Sequence, residues 1–193
     1  MEKYKMILIS EEKMAREVTL AVIVTRPLTV WHYIIPGMFI FDFLRRGSAL
    51  RKYTGHFMFP RKLALDAARA LDRGEDETAV FSHIENDTGT WLNSLDLHTP
   101  GLLQAQLAVI KLLVDHYARL LKEDGYSFYA LIKKAYENRV SFQGFIDELT
   151  AAEDAMDREL IAKMGETEKL TAKISAEQKQ LEERREKIIE EVF

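Results

Sequence analysis

The chain has 193 residues, 47% of them hydrophobic and 30% charged, and it contains no cysteine. The apolar fraction excludes a disordered chain, and the lack of cysteine excludes disulfides, thiolate nucleophiles and every zinc site that needs a Cys ligand. Four prolines and nine glycines favour long helices over turn-rich β structure. We therefore predict an all-α bundle of about six to eight helices with a long charged C-terminal helix.

Charge is distributed unevenly along the chain, although the formal net charge is only −4. Residues 45–62 carry six Arg or Lys and no acid, whereas residues 63–193 carry 16 basic and 26 acidic residues, a balance of −10. A short positive segment on an otherwise acidic protein indicates one localised electrostatic contact. We expect no nucleic-acid partner, because the acidic remainder would repel a polyanion.

The first predicted helix begins after Ser10, whose hydroxyl can cap it. It ends at Arg26-Pro27, because a residue that precedes proline is displaced from the helical region of φ/ψ space. The sequence that follows, LTVWHYIIPGMFIFDFL, is the most apolar and aromatic part of the chain. We call these residues, 28–44, the apolar segment, and residues 45–62 the basic segment.

A clean transmembrane span is not expected in this region. A longer span would place Arg26 near its middle, at a cost of roughly 2.5–3.5 kcal/mol. Within the apolar segment itself, His32, Pro36 and Asp42 would offset most of the gain from the apolar side chains. We expect two helical pieces that dip shallowly into one face of a membrane and return.

Together the two segments predict a membrane-peripheral or monotopic adaptor without enzymatic activity, at the cytoplasmic, inner face of a membrane. The residues expected to face lipid or a protein partner are Trp31, Tyr33, Ile34, Ile35, Met38, Phe39, Ile40, Phe41, Phe43 and Leu44. The residues expected to bind the anionic surface are Arg45, Arg46, Arg51, Lys52, Arg61 and Lys62. One alternative is a soluble subunit of a complex, with the apolar segment as core or subunit interface. Another is a metal- or lipid-binding helical enzyme.

The rest of the chain is predicted to be helical with well-marked ends. Pro60 is expected to open one helix, since proline is favoured at the first helical position, and Asp76 is expected to cap the next. The turn-forming residues 86–89, Asn-Asp-Thr-Gly, predict a break in that helix. Thr99 and Ser127 are expected to cap two more. The helix after Thr99 is apolar enough to be the core helix of the body.

The C-terminal residues 166–193 contain 14 charged residues in 28, and neither proline nor glycine. Ile174, Leu181 and Ile188 recur every seven residues, which predicts a solvated helix with one apolar edge packed on the body. A homo-oligomer formed through this helix is the alternative. The predicted division of the chain is an apolar and basic region at 1–62, a bundle body at 63–165 and the charged helix at 166–193.

Motifs for enzymatic chemistry do not occur in the sequence, which has no phosphate-binding Gly-rich loop, H-E-x-x-H or G-x-S-x-G. We therefore predict no catalytic residue and no cofactor. One arrangement could suggest a metal ion, namely His83 and Asp87 at helical i, i+4 spacing with Asp115 and His116 of a second helix. We favour instead a hydrogen-bonded core histidine at His116, because its helical neighbours are leucines.

Overall fold

The fold is seen in a computed structural model that describes residues 2–23 and 38–193, without the side chains of residues 22–49 and 169. These residues form seven α-helices and no β-strand, which confirms the predicted all-α bundle. In chain order the helices are Glu2–Ile23 (α1), Met38–Asp72 (α2), Glu77–Ser94 (α3), Pro100–Lys122 (α4), Phe128–Tyr136 (α5), Arg139–Met164 (α6) and Glu168–Val192 (α7).

Helix α4 is the core helix of the bundle, as its apolar sequence predicts. It contacts α2, α3, α5 and α6, and it buries side chains such as Val109, Leu113 and Tyr117. An aliphatic side chain such as Val109 or Leu113 stabilises the fold by about 1.5–3 kcal/mol when fully buried. The predicted cap is confirmed, because the Thr99 hydroxyl accepts a 3.1 Å hydrogen bond from the Leu102 amide.

Helices α1 and α2 lie side by side in antiparallel directions. Tyr4, near the start of α1, donates a 2.6 Å hydrogen bond to Asp66 near the end of α2. Towards the other end of the pair, the hydroxyls of Thr54 and Thr19 are 3.2 Å apart. By this register residues 38–49 of α2 lie beyond the level of Ile23, the last described residue of α1, over about 18 Å at the rise of an α-helix.

Two helices continue through residues that were predicted to begin or interrupt a helix. Pro60 lies inside α2, which also runs without a break through residues 62 and 63, where the sequence analysis divides the chain. Helix α3 continues through residues 86–89. Its buried side chains include Ile84 and Thr88 at four-residue spacing, so packing along one face outweighs the local preference for a turn.

The beginning of α1 also differs from the prediction, because the helix begins at Glu2 and Ser10 lies within it. Side chains on both sides of Ser10 pack into the bundle: Ile7 and Ala15 are fully buried. Burial of this face explains why the helix includes the turns before Ser10, since tertiary packing supplies most of the stability of a protein helix.

Helix α7 packs along the body with one apolar edge, as predicted. Leu181 is buried, and Ile189 and Val192 join the main core near the C-terminus. An ion pair of 3.0 Å between Arg184 and Glu17 ties the helix to α1. The C-terminal helix is therefore part of the bundle and stabilises the packing of α1 and α6.

Candidate functional site

The basic segment lies on α2, and its cationic side chains do not share one environment. Arg51, Lys52 and Lys62 are exposed. Arg45 and Arg46 also belong to α2, but their side chains lie outside the described residues. Three of the six predicted surface cations are thus placed where a negatively charged surface could reach them.

Arg61 does not belong to this exposed group, contrary to the prediction. Only 5% of its surface is exposed, and its guanidinium lies over the ring of Phe57 at 3.9 Å from the ring centroid. It pairs with Glu11 at 3.2 Å and with Glu153 at 3.4 Å. Arg61 faces inward because these two carboxylates, on α1 and α6, need a buried counter-ion.

These residues belong to a larger set of buried charges, which we call the ion network: Glu11, Arg61, Glu153 and Arg185. Arg185 of α7 approaches Glu153 to 2.6 Å and donates a 2.7 Å hydrogen bond to Thr150. Burial raises the pKa of Glu11, and the charge of Arg61 opposes that shift. The network joins four helices at one level of the bundle and balances two acids with two bases.

The apolar segment lies largely outside what the structure describes. Trp31, Tyr33, Ile34 and Ile35 are outside the described residues. The remaining predicted lipid-facing residues are in the first turns of α2, without described side chains: Met38, Phe39, Ile40, Phe41, Phe43 and Leu44. Among the helices that the structure describes, none combines the length and apolar character needed to cross a bilayer.

A second group of polar residues, not predicted from the sequence, lines a cavity of about 700 Å³ between α2, α4, α6 and α7. Asp157 and Glu177 are half-buried there. The Tyr53 hydroxyl donates a hydrogen bond to Glu177. Burial and then the charge of Glu177 raise the pKa of Asp157 to about 6. Burial likewise raises the pKa of Glu177.

The sequence contained one signal for this cavity. Glu153 and Asp157 are four residues apart on α6, so both carboxylates lie on one face of the helix. In a sequence so rich in acids this spacing is common on solvated faces, and only the packing of α6 against its neighbours makes it unusual.

The four residues considered for a metal ion do not form a site. His83 and Asp87 are 3.3 Å apart on the exposed face of α3. His116 is buried, shares a 2.7 Å hydrogen bond with the Tyr136 hydroxyl and stacks on Phe145. Burial lowers the pKa of His116 to about 3. Within the described part of the chain, no three His, Asp or Glu side chains are grouped so that they could hold a metal ion.

Comparison with known proteins gives no family for this chain. No protein-family model matches the sequence, and neither a curated protein nor a solved structure is significantly similar to it.

Proposed function

We propose that the protein is a non-enzymatic adaptor that docks on the anionic inner face of a cytoplasmic membrane through the first half of α2. The observation that carries this proposal is the continuity of α2, which joins residues 38–44 of the apolar segment directly to residues 45–62. The side chains of Arg51 and Lys52 are exposed on this helix. No acidic residue occurs in the basic segment to neutralise them.

Two interactions would act together at such a surface. A Lys or Arg close to an anionic leaflet contributes about 1 kcal/mol. Apolar side chains that leave water contribute about 25 cal/mol per Å². Either alone gives marginal, reversible binding, whereas the combination of the two gives stable attachment.

The charge of the remaining chain would orient the docked protein. Residues 63–193 have a balance of −10, so an anionic leaflet repels the body while it attracts the basic segment. This repulsion acts over a Debye length of about 8 Å at physiological salt. The acidic surfaces of the body would then point away from the membrane, where a protein partner could bind them.

Vesicle flotation tests the proposal. The protein is mixed with vesicles of phosphatidylcholine alone, or with vesicles that also contain phosphatidylserine, at about 0.1 M and about 0.5 M salt. We expect flotation with the anionic vesicles at low salt and its loss at high salt. Reversing the charge of two exposed residues, in R51E/K52E, should weaken binding by about tenfold or more.

The matched control is K133E/K134E, which makes the same change of charge at two exposed neighbours on α5. This variant should float like the unmodified protein. Failure of the unmodified protein to float at low salt would refute the proposal and favour the alternative, a soluble subunit whose apolar segment contacts another protein. Equal weakening in both variants would show that net charge, and not the basic segment, governs binding.

A further inference from the structure

The cavity between α2, α4, α6 and α7 has the size and the mixed lining of a small-molecule site. Its volume of about 700 Å³ lies within the range of about 300–1,000 Å³ that is usual for ligand pockets. Apolar side chains from several helices line it, among them Trp91, Leu160 and Ile174. Trp91 is held in place by stacking on Phe59, with ring centroids 4.5 Å apart.

The cavity is strongly acidic. Seven of its lining residues are Asp or Glu and two are Arg. Both arginines, Arg61 and Arg185, already pair with Glu153 of the ion network. A concave, partly buried surface with this excess of negative charge attracts cations and excludes anions.

Among the described residues, Glu153 alone of these seven acids forms an ion pair, and the two acids whose pKa burial raises, Asp157 and Glu177, form none. Asp157 accepts a hydrogen bond of 3.1 Å from Gln178, and Glu177 accepts one from Tyr53. No described Lys or Arg side chain forms an ion pair with either of them. The charge of nearby Arg61 offsets only part of the burial penalty on Glu177, whose pKa stays raised. A bound cation would relieve the remaining repulsion between these two half-buried carboxylates.

A polar side chain without a partner is buried against the same cavity. Gln106 of α4 lines it and is only 4% exposed, and its Nε2 atom has no hydrogen-bond acceptor in the described structure. Helices α4 and α6 are antiparallel, because Gly101 lies against Glu159 while His116 stacks on Phe145. This register sets Gln106 of α4 opposite residue 154 of α6, about one helical turn from Asp157.

A buried amide donor without an acceptor costs about 1–3 kcal/mol. An occupant that supplies an acceptor oxygen at Gln106 removes this penalty. Glu153 of the ion network instead accepts its hydrogen bonds from Arg61 and Arg185. An occupant with both a positive charge and an oxygen acceptor would satisfy both features of the cavity.

We propose that this cavity binds a small organic amine that carries a hydrogen-bond-accepting oxygen. Its ammonium group lies between Asp157 and Glu177, its oxygen accepts a hydrogen bond from Gln106, and its apolar part packs against Trp91 and Leu160. A bare divalent cation does not fit, because the described residues offer no group of three ligands for it. This site is independent of membrane contact, and either proposal can fail without the other.

The test uses three probes of nearly equal shape that differ in charge. Tyramine is the amine, tyrosol is its neutral alcohol analogue, and 4-hydroxyphenylacetate is an anionic analogue. We expect tyramine alone to raise the melting temperature of the full chain in a saturable manner, and to bind in calorimetry. Binding should strengthen between pH 5 and pH 7.5, because Asp157 must be ionised to pair with the ammonium group.

Two substitutions locate the site. D157N and Q106L should each weaken tyramine binding, D157N by about tenfold or more because it removes a charge-assisted contact. D72N, at an exposed residue outside the cavity, should bind like the unmodified protein. D157N removes a half-buried charge and is expected to fold.

Three outcomes would overturn the proposal. The first is no saturable effect of tyramine, and the second is an equal effect of tyrosol, which would show that the charge is irrelevant. The third is unchanged tyramine binding in D157N, which would place the amine elsewhere.

Discussion

Arg61 and Lys62 are neighbours in the basic segment, yet they serve two different regions of the molecule. Lys62 is exposed, as are Arg51 and Lys52 in the first half of α2, where we propose that lipid binds. Arg61 points into the bundle and pairs with Glu11 and Glu153. One residue along a helix is a rotation of about 100°, which is enough to separate solvent from core.

A run of positive charge in the sequence therefore does not have a single role. On the outer side each cation remains hydrated and contributes little to the stability of the fold. Its charge therefore matters only when a partner approaches. On the inner side the same charge is held by carboxylates of α1 and α6, and its loss would leave those acids unbalanced. Substitutions at the two positions should therefore differ by a large factor.

The largest effect is expected from R61M. It leaves Glu11 buried without its counter-ion, which should lower the free energy of unfolding by about 3–5 kcal/mol in urea titrations. K62M, on the adjacent exposed residue, should change it by no more than about 0.5 kcal/mol. The loss in R61M should shrink at lower pH, because protonation removes the charge of Glu11.

A double variant tests whether the loss in R61M comes from the unbalanced charge of Glu11. E11Q in the R61M background removes the unbalanced acid as well, and should recover part of the stability. If R61M and K62M are equally stable, the pairing of Arg61 in the ion network contributes nothing to the free energy of unfolding.

The all-α fold, the core role of α4 and the caps at Thr99 and Ser127 followed from the sequence, because they depend on periodicity and on local hydrogen bonds. The inward turn of Arg61 did not. Its direction is set by carboxylates 50 and 92 residues away in the chain, and no local pattern reports such distant partners. The same holds for Asp157 and Gln106, which line one cavity only because α4 and α6 pack in antiparallel register.

The helix boundaries show the same limit. Pro60 and the residues 86–89 have strong local preferences for a helix start and a turn, but both lie within helices whose faces are buried. Local signals predicted a helix boundary correctly at Thr99, where the chain leaves the core. They were wrong at Pro60 and at residues 86–89, where the helix keeps a buried face on both sides of the signal.

An intermediate effect on stability is expected from substitution of His116. This histidine is buried, whereas His83 is exposed. Burial lowers the pKa of His116 from 6.5 to about 3. The unfolded chain binds a proton below pH 6.5 that the folded protein excludes. Stability from this residue is therefore present above pH 6.5 and is lost as the pH falls, by about 1.4 kcal/mol per unit.

H116F should remove this loss below pH 6.5, as measured by urea unfolding at several pH values. It should also lower stability at pH 7.5 by about 1–3 kcal/mol, because the Tyr136 hydroxyl loses its partner. H83Q should change neither. An unchanged pH dependence in H116F would mean that other groups cause the acid sensitivity.

The smallest expected effect has the opposite sign and concerns Asp157. Its pKa is raised from 3.8 to about 6, mainly by burial and next by Glu177. Between pH 3.8 and about 6, the Asp157 carboxyl is therefore protonated in the folded protein but ionised in the unfolded chain. The resulting stability is fully present below pH 3.8, is lost as the pH rises through 6, and stays lost above it.

D157N removes the charge that causes this loss, so it should be more stable than the unmodified protein at pH 7.5, by on the order of 1 kcal/mol after allowance for solvent screening. At pH 4 the two should be equally stable, and D72N should show no such gain. A variant that gains stability while it loses tyramine binding would identify Asp157 as a residue retained for binding at the expense of the fold. A variant that loses stability at pH 7.5 would instead make Asp157 a structural residue, held by Gln178 for the packing of α6 on α7.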